Sequence, residues 1–370
     1  MNAVELTREL VRIDTVNPVS PERPAAERVG RLLEGAGFAV RMHEFAPGRT
    51  SVVARRDGGG PPLCFAGHLD TVPLGAAPWS RDPFGGEIDA GKLYGRGSSD
   101  MKSGVAAMVA AALQLAGSQM RKAGLTLVLV AGEETGCEGA AHLARTEGAL
   151  GSAGAMIVGE PTGNVPVLGH KGALWLHART RGVTAHGSMP DKGVNAVVKA
   201  AHAVLSLAGF RFDVAPDPLL GGPTLNVGTI RGGLNVNSVP DEAVIGIDIR
   251  TIPAQCHAEL RKRLAELLGD EVELTPVVDL PGMRTAEENP FVQSVMGAVA
   301  RVTGERRTPG SATYFTDASV LTPAFGGIPT VVLGPGEMAL CHQTDEHCRV
   351  ERIEQAVAAY LEIARSWCGA

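Results

Sequence analysis

His68 and Asp70, two residues apart at the end of an apolar run, are the first groups in this chain whose types and spacing could do chemistry. The run Leu63-Cys64-Phe65-Ala66-Gly67-His68-Leu69-Asp70 opens like a strand buried on both faces and closes in polar side chains. In extended chain, residues two apart share a face. A carboxylate so placed takes one imidazole N–H and leaves the other nitrogen to bind a cation. Comparable groups recur further on. Asp100 follows Ser98-Ser99, Glu133-Glu134 follows the apolar run from Leu125 to Ala131, and Glu160 follows residues 155–158. His342 comes after residues 330–333 and the loop Gly334-Pro335-Gly336. Singly, each has an ordinary explanation: a helix cap for Asp100, a solvated pair for the glutamates, a turn for His342. Together, at successive strand ends, they crowd carboxylates onto one rim. Two like charges about 5 Å apart repel by roughly 3 kcal/mol at an effective dielectric of 20. Two divalent cations bridged by one carboxylate would neutralise such a rim. Oxygen and nitrogen donors without thiolate suit Zn²⁺ or a similar first-row ion.

The elements that must position these groups emerge from periodicity and punctuation. Helices are expected at 3–13 and 24–36, strands at 38–45, 51–56 and 62–69, and a short hairpin around Asp89–Gly91. An Ala-rich helix over Met101–Ala116 would be capped by Ser98 or Ser99. A strand at 125–131, a helix at 138–147 and a strand at 155–158 complete an α/β pattern: a mainly parallel sheet flanked by helices, with ligands at the carboxyl ends of its strands. The texture changes after Lys171. A strand at 173–181, a helix at 195–208, strands at 224–231 and 242–251, a helix at 256–268 and a strand at 271–280 give the β-α-β-β-α-β order of a ferredoxin-like α+β unit. Beyond Pro281, helices at 288–303, from Asp317 and at 350–366, with a strand at 330–333, restore the α/β pattern. The expectation is therefore a catalytic domain of residues 1–172 and 282–370, interrupted by a second domain at 173–281.

Composition narrows the function classes. The 370 residues are 44% hydrophobic and 20% charged, with a net charge of -6 and no long Lys/Arg run. That argues against nucleic acid or an anionic membrane as partner. No apolar run approaches the roughly 18–20 residues needed to span a bilayer, and the first residues lack an apolar signal core, so the cytoplasm is expected. The six cysteines show no CxxC spacing and are expected as reduced thiols. Neither Gly95-Arg96-Gly97 nor Gly58-Gly59-Gly60 completes a phosphate-binding loop.

Gly67-His68-Leu69-Asp70, Gly95-Arg96-Gly97-Ser98-Ser99-Asp100-Met101-Lys102, Glu133-Glu134 and Gly159-Glu160-Pro161-Thr162 resemble the M20 co-catalytic metallopeptidases. The similarity is to the branch of acetylornithine deacetylase and succinyl-diaminopimelate desuccinylase, and it runs from about residue 6 to 365. It implies one metal on His68 and Glu160, a second on Glu134 and His342, and Asp100 bridging both, with a cis peptide after Asp100. Zn²⁺ is the first choice, with Co²⁺ or Mn²⁺ as alternatives. Asp70 would support His68, and Glu133 would be the general base. Val183-Thr184-Ala185-His186-Gly187-Ser188-Met189-Pro190 resembles the family's lid motif, which implies a homodimer with His186 reaching the partner subunit's active site. Asn237 and Arg250 match positions that bind the substrate carboxylate or stabilise the oxyanion, and Gly336 matches a substrate-side glycine loop. His170-Lys171-Gly172 matches an acetylornithine deacetylase motif as hinge or contact. Ser103 replaces a glycine of many relatives, and Cys341 beside His342 is expected to point away. The implied activity is hydrolysis of the amide of an N-acyl amino acid. Desuccinylation, a dipeptidase or carboxypeptidase acting on short peptides, and a non-catalytic metal-binding protein are the alternatives. Asp70 and Glu133 speak against the last, since neither is needed merely to hold metal.

Overall fold

Leu63–His68 is buried at every residue, as its uninterrupted apolar run requires of a central parallel strand. It lies between two parallel neighbours, Leu125–Val130 and Ala155–Val158. Thr330–Val332 extends the sheet in parallel beyond Ala155–Val158. On the other side Arg49–Arg56 and then Ala39–Ala46 add antiparallel strands. The sheet of this computed structural model, which describes residues 2–370, is thus parallel at its centre and mixed towards its edges. Register aligns the strand ends: His68 pairs with Val130, Ala66 with Val158, and Val158 with Val332. Parallel strands share a direction, so these pairings bring the carboxyl ends of neighbouring strands to one rim.

Helices flank this sheet. Arg23–Gly35 packs on Arg49–Arg56, and Ser103–Gln114 packs against Leu63–His68 and Val350–Cys368. Ser103–Gln114 is buried from Ser103 through Ala112, and its small side chains permit close approach. A Cβ on Gly104 would stand 2.1 Å from the Gly159 carbonyl oxygen, next to Glu160. The helix begins later than the sequence suggests. Asp100 and Met101 have non-helical backbone angles, their shared peptide is cis, and no side chain caps the helix. Asp100 is therefore free of capping duty. The hairpin of Ile88–Asp89 and Lys92–Tyr94 gains a third strand that the sequence pattern does not announce, His347–Arg349.

The chain divides into two compact units: Met1–Gly169, Arg284–Ser311 and Thr316–Ala370 form one, and His170–Met283 with Ala312–Phe315 the other. The second has strand order Thr224–Gly232, Glu242–Thr251, Gly172–Arg181, Val272–Leu280, antiparallel throughout, with helices Ala196–Ala208 and His257–Leu268. This is the ferredoxin-like arrangement. Burial alternates along Glu242–Thr251, so one face packs Leu174, Leu176, Ile245, Ile247 and Ile249 against the helices while the other meets solvent. Residues 312–315 join this unit although the sequence pattern assigns them to the first. The Lys171 N–H donates to the Ala312 carbonyl at 3.0 Å, and the Phe315 ring meets Trp175 edge-on. So short a segment has no periodicity to announce it. Among the described residues, no helix is long and apolar enough to cross a membrane.

Candidate metal centre

His68 is the last residue of its strand and 1% exposed. Its Nε2 lies 3.2 Å from Asp100 Oδ1 and 3.7 Å from Glu160 Oε2. The other oxygen of Asp100, Oδ2, is 3.5 Å from His342 Nε2, which is itself 3.2 Å from Glu134 Oε1. Asp100 thus stands between two imidazoles, each backed by its own glutamate. Ligand atoms of His68, Asp100 and Glu134 all fall within 4.8 Å of one another, a group that could hold a metal ion. His342 reaches the cluster from a residue in the left-handed region (φ 61°) and remains the exposed member.

Asp70 does more than its place beside His68 suggests, and does it differently. The Nδ1–H of His68 donates to the backbone carbonyl of Asp70 at 3.0 Å, while the carboxylate Oδ1 stands 3.6 Å away. The carboxylate instead accepts the backbone N–H of Glu133 on Oδ1 and that of Glu134 on Oδ2, each at 3.1 Å, and the Asn17 amide also donates to Oδ2. Just beyond the strand, the Asp70 side chain reaches the backbone that follows the neighbouring strand Leu125–Val130. The two glutamates then part: Glu134 meets His342, while Glu133 Oε1 lies 3.9 Å from the Cys137 thiol.

The electrostatics fit a cation site. No lysine or arginine pairs with Glu133, Glu134 or Glu160 among the described residues, and imidazoles are the cationic partners of Glu134 and Glu160. Hydrogen bonds to Asp100 and Glu134 push His342 up to about 10 despite partial burial. Burial opposes the charging of His68, yet Glu160 and Asp100 hold it well above its usual range. Burial pushes Glu160 up to about 8 against the pull of His68. Donors that attract protons this strongly attract a divalent cation for the same reason.

In sequence Asp317 marks only a helix start. In the fold it is wholly buried, and neither carboxylate oxygen is hydrogen-bonded to a nitrogen or oxygen donor. Burial, against the pull of His68, pushes it up to about 7, with the Asp70 charge adding to the rise. An Asp before a helix looks like a cap in sequence, and only burial distinguishes this one. Cys341 lies just before His342. The short turn Met338–Leu340 folds it back so that its thiol lies 3.6 Å from the Glu337 carbonyl oxygen, and burial followed by the Asp100 charge raises it. Gly336 has a packing reason to be glycine: a Cβ would stand 2.1 Å from the Ser99 carbonyl oxygen, and its own carbonyl accepts the Gly163 N–H at 2.7 Å.

His186, Asn237 and Arg250 lie in the second unit. There the Gly187 N–H donates to the Asn237 carbonyl at 2.7 Å, and His186 bridges to Ser238 with its Nδ1 2.7 Å from Ser188 Oγ. Both His186 and Asn237 are exposed. Arg250 is half-buried, 2.9 Å from Asp248 and over the face of Trp175. His170 is fully buried against the Lys171 carbonyl, and Lys171 donates to the Gly222 carbonyl.

Imidazoles and carboxylates gathered at the carboxyl rim of an α/β sheet, with a ferredoxin-like unit inserted, define a class of metallohydrolase. The chain belongs to peptidase family M20/M25/M40, which residues 64–366 match. It is 31% identical to an acetylornithine deacetylase of Myxococcus xanthus over 98% of this chain and 96% of that one. It is 28% identical to a "Probable succinyl-diaminopimelate desuccinylase" of Staphylococcus epidermidis, over 98% and 97%. In fold it resembles an M20 family metallo-carboxypeptidase of Sulfolobus solfataricus, with a TM-score of 0.82 at 18% identity over the whole of both chains.

Proposed function

We propose that this M20 hydrolase removes the acyl group from an N-acyl amino acid, using two divalent cations of which Zn²⁺ is the first candidate and Co²⁺ or Mn²⁺ the alternatives. One observation carries the reading: the two oxygens of Asp100 face different imidazoles. His68 and Glu160 would hold one cation, His342 and Glu134 the other, and Asp100 both. Bound there, the pair would acidify a water and draw charge from the scissile carbonyl.

The remaining steps fall to the chain itself. Glu133 is the general base. It is buried without a cationic partner, and burial followed by the Glu160 charge holds its carboxyl well above the usual range. Such a group can take a proton from water and return it to the leaving amine. Asp70 keeps the two glutamates at their separate tasks by fixing both of their N–H groups. We assign His186, from a second copy of the chain in a homodimer, to the developing oxyanion, and Asn237 and Arg250 to the substrate carboxylate. Arg250 already accommodates a carboxylate, that of Asp248, and its fork geometry suits one. Gly336 would line the acyl side with backbone alone.

The deacetylase named at 31% identity supports deacylation over peptide hydrolysis. Desuccinylation and cleavage of short peptides remain chemically available to the same centre. Protein stripped of metal, then reloaded with Zn²⁺ or Co²⁺, should release amino acid from N-acetyl or N-succinyl substrates faster than from dipeptides. Chelation should abolish turnover. Activity indifferent to exhaustive chelation would end this reading, and a preference for dipeptides would move it to the peptidase.

A further inference from the structure

A second, fully buried cluster stands directly behind Asp100. Glu346 is 0% exposed and Arg96 1%, and Arg96 Nη1 lies 2.6 Å from Glu346 Oε2. The same oxygen accepts the Gly97 N–H at 3.0 Å. Glu346 Oε1 accepts the N–H of Ser99 at 2.8 Å and of Asp100 at 3.0 Å. Arg96 Nη1 also donates to the Gln343 carbonyl at 3.3 Å and Nη2 to the Pro73 carbonyl at 3.1 Å, while its buried Nε has no partner. Both carboxylate oxygens are thus committed to the backbone that carries Asp100, or to the guanidinium beside it.

What places Glu346 there is the small sheet. His347 pairs with Tyr94, and the Gly95 N–H donates to the Glu346 carbonyl at 2.9 Å. Glu346 lies four residues after His342, so one short segment carries a proposed ligand at one end and the clamp on Asp100 at the other. A second stitch runs alongside: the Glu337 N–H donates to Ser99 Oγ at 2.7 Å. The backbone leaves helical angles at Asp100 and Met101, and Asp100 has no capping role to hold it. Its orientation therefore depends on these side chains.

We infer that Glu346, held by Arg96, is a positioning residue that sets the affinity of the paired-cation site by fixing the Ser99-Asp100 backbone without touching a cation. The inference rests on the two-cation reading above. Ligand-orienting partners of this kind change metal affinity by about ten- to a hundredfold when altered.

The test is a Co²⁺ titration of chelator-stripped protein, followed by the visible absorption of the bound ion and by circular dichroism to confirm folding. Wild type should take two Co²⁺ per chain. Glu346→Gln keeps the shape but turns an amide N–H₂ against donors, and its Co²⁺ affinity should fall about tenfold or more, with turnover recovering at excess metal and KM unchanged. Arg96→Lys keeps the charge and the Glu346 contacts to Ser99 and Asp100, so its loss should be smaller and in the same direction. If Glu346→Gln does not fold, the Arg96→Lys isotherm decides. A lowered melting temperature with an unchanged isotherm would overturn the inference, since a merely structural clamp predicts that result. A wild-type stoichiometry below two would overturn it through the reading beneath it, and the wild-type isotherm alone tells these failures apart.

Discussion

The two units place chemistry in opposite settings. In the first, His68, Asp70, Glu133 and Glu160 are all 5% exposed or less, at the ends of strands buried on both faces, and His342 is the exposed candidate ligand. In the second, His186 and Asn237 are exposed and Arg250 is half-buried on a sheet solvated on one face. Charge that must be concentrated and aimed needs a low-dielectric, rigid setting, because there each interaction is strong and costs no reorganisation. Groups that meet a substrate from solution need water and freedom instead. The sheet type matches this difference in burial, since a parallel sheet is covered on both faces and an antiparallel one can leave a face open.

Substitution tests that contrast most sharply. Glu133→Gln should keep both metals by elemental analysis while turnover falls by about 10³-fold or more, and near-normal turnover would remove Glu133 as base. On the exposed side, His186→Ala should lower kcat by about 10²-fold with KM little changed. Mixing it with the Glu133 variant should restore activity through subunit exchange. A failure to restore it would place the whole site within one chain. Asp70→Asn lies between these in kind. It should lower Co²⁺ affinity and kcat by about ten- to a hundredfold, because one of the two Glu133-Glu134 N–H groups would lose its acceptor. An unchanged affinity would reduce Asp70 to packing.

The smallest effect separates the units by sign. In the metal-free first unit, burial raises Glu22 to about 7, Asp317 to about 7 and Glu160 to about 8. The folded state then holds protons that the unfolded state has released, so the contribution of these three groups is complete below about pH 4 and is lost as pH climbs towards 8. In the second unit burial lowers His170 to about 4. Its contribution is complete above pH 6.5 and is lost as pH falls towards 4, by about 3 kcal/mol at most. Amide hydrogen exchange of the apo protein at pH 5 and pH 7.5, resolved by segment, should show the two trends running in opposite directions. His170→Gln, which cannot titrate, should flatten the second. Parallel trends would mean that burial does not govern these groups.

Much of the candidate site was legible because strand ends are local features. His68, Asp100, Glu133, Glu134, Glu160 and His342 carry their chemistry in residue type, and the apolar runs before most of them announce the strands. Helix ends were less legible. The expected cap at Ser98 or Ser99 fails because the loop is held from elsewhere, and residues 312–315 change units through one backbone bond and one ring contact.

By itself, the sequence determined which residue types arrive at the rim and in what order, since alternating strands and helices force a parallel sheet and a parallel sheet aligns its carboxyl ends. Tertiary structure alone decided what each side chain does once there. Asp70 serves the backbone 63 and 64 residues on, and Glu346 grips a loop about 250 residues earlier. Beyond the last ladder bond a side chain's direction is set by contacts distant in sequence, and no local pattern encodes them.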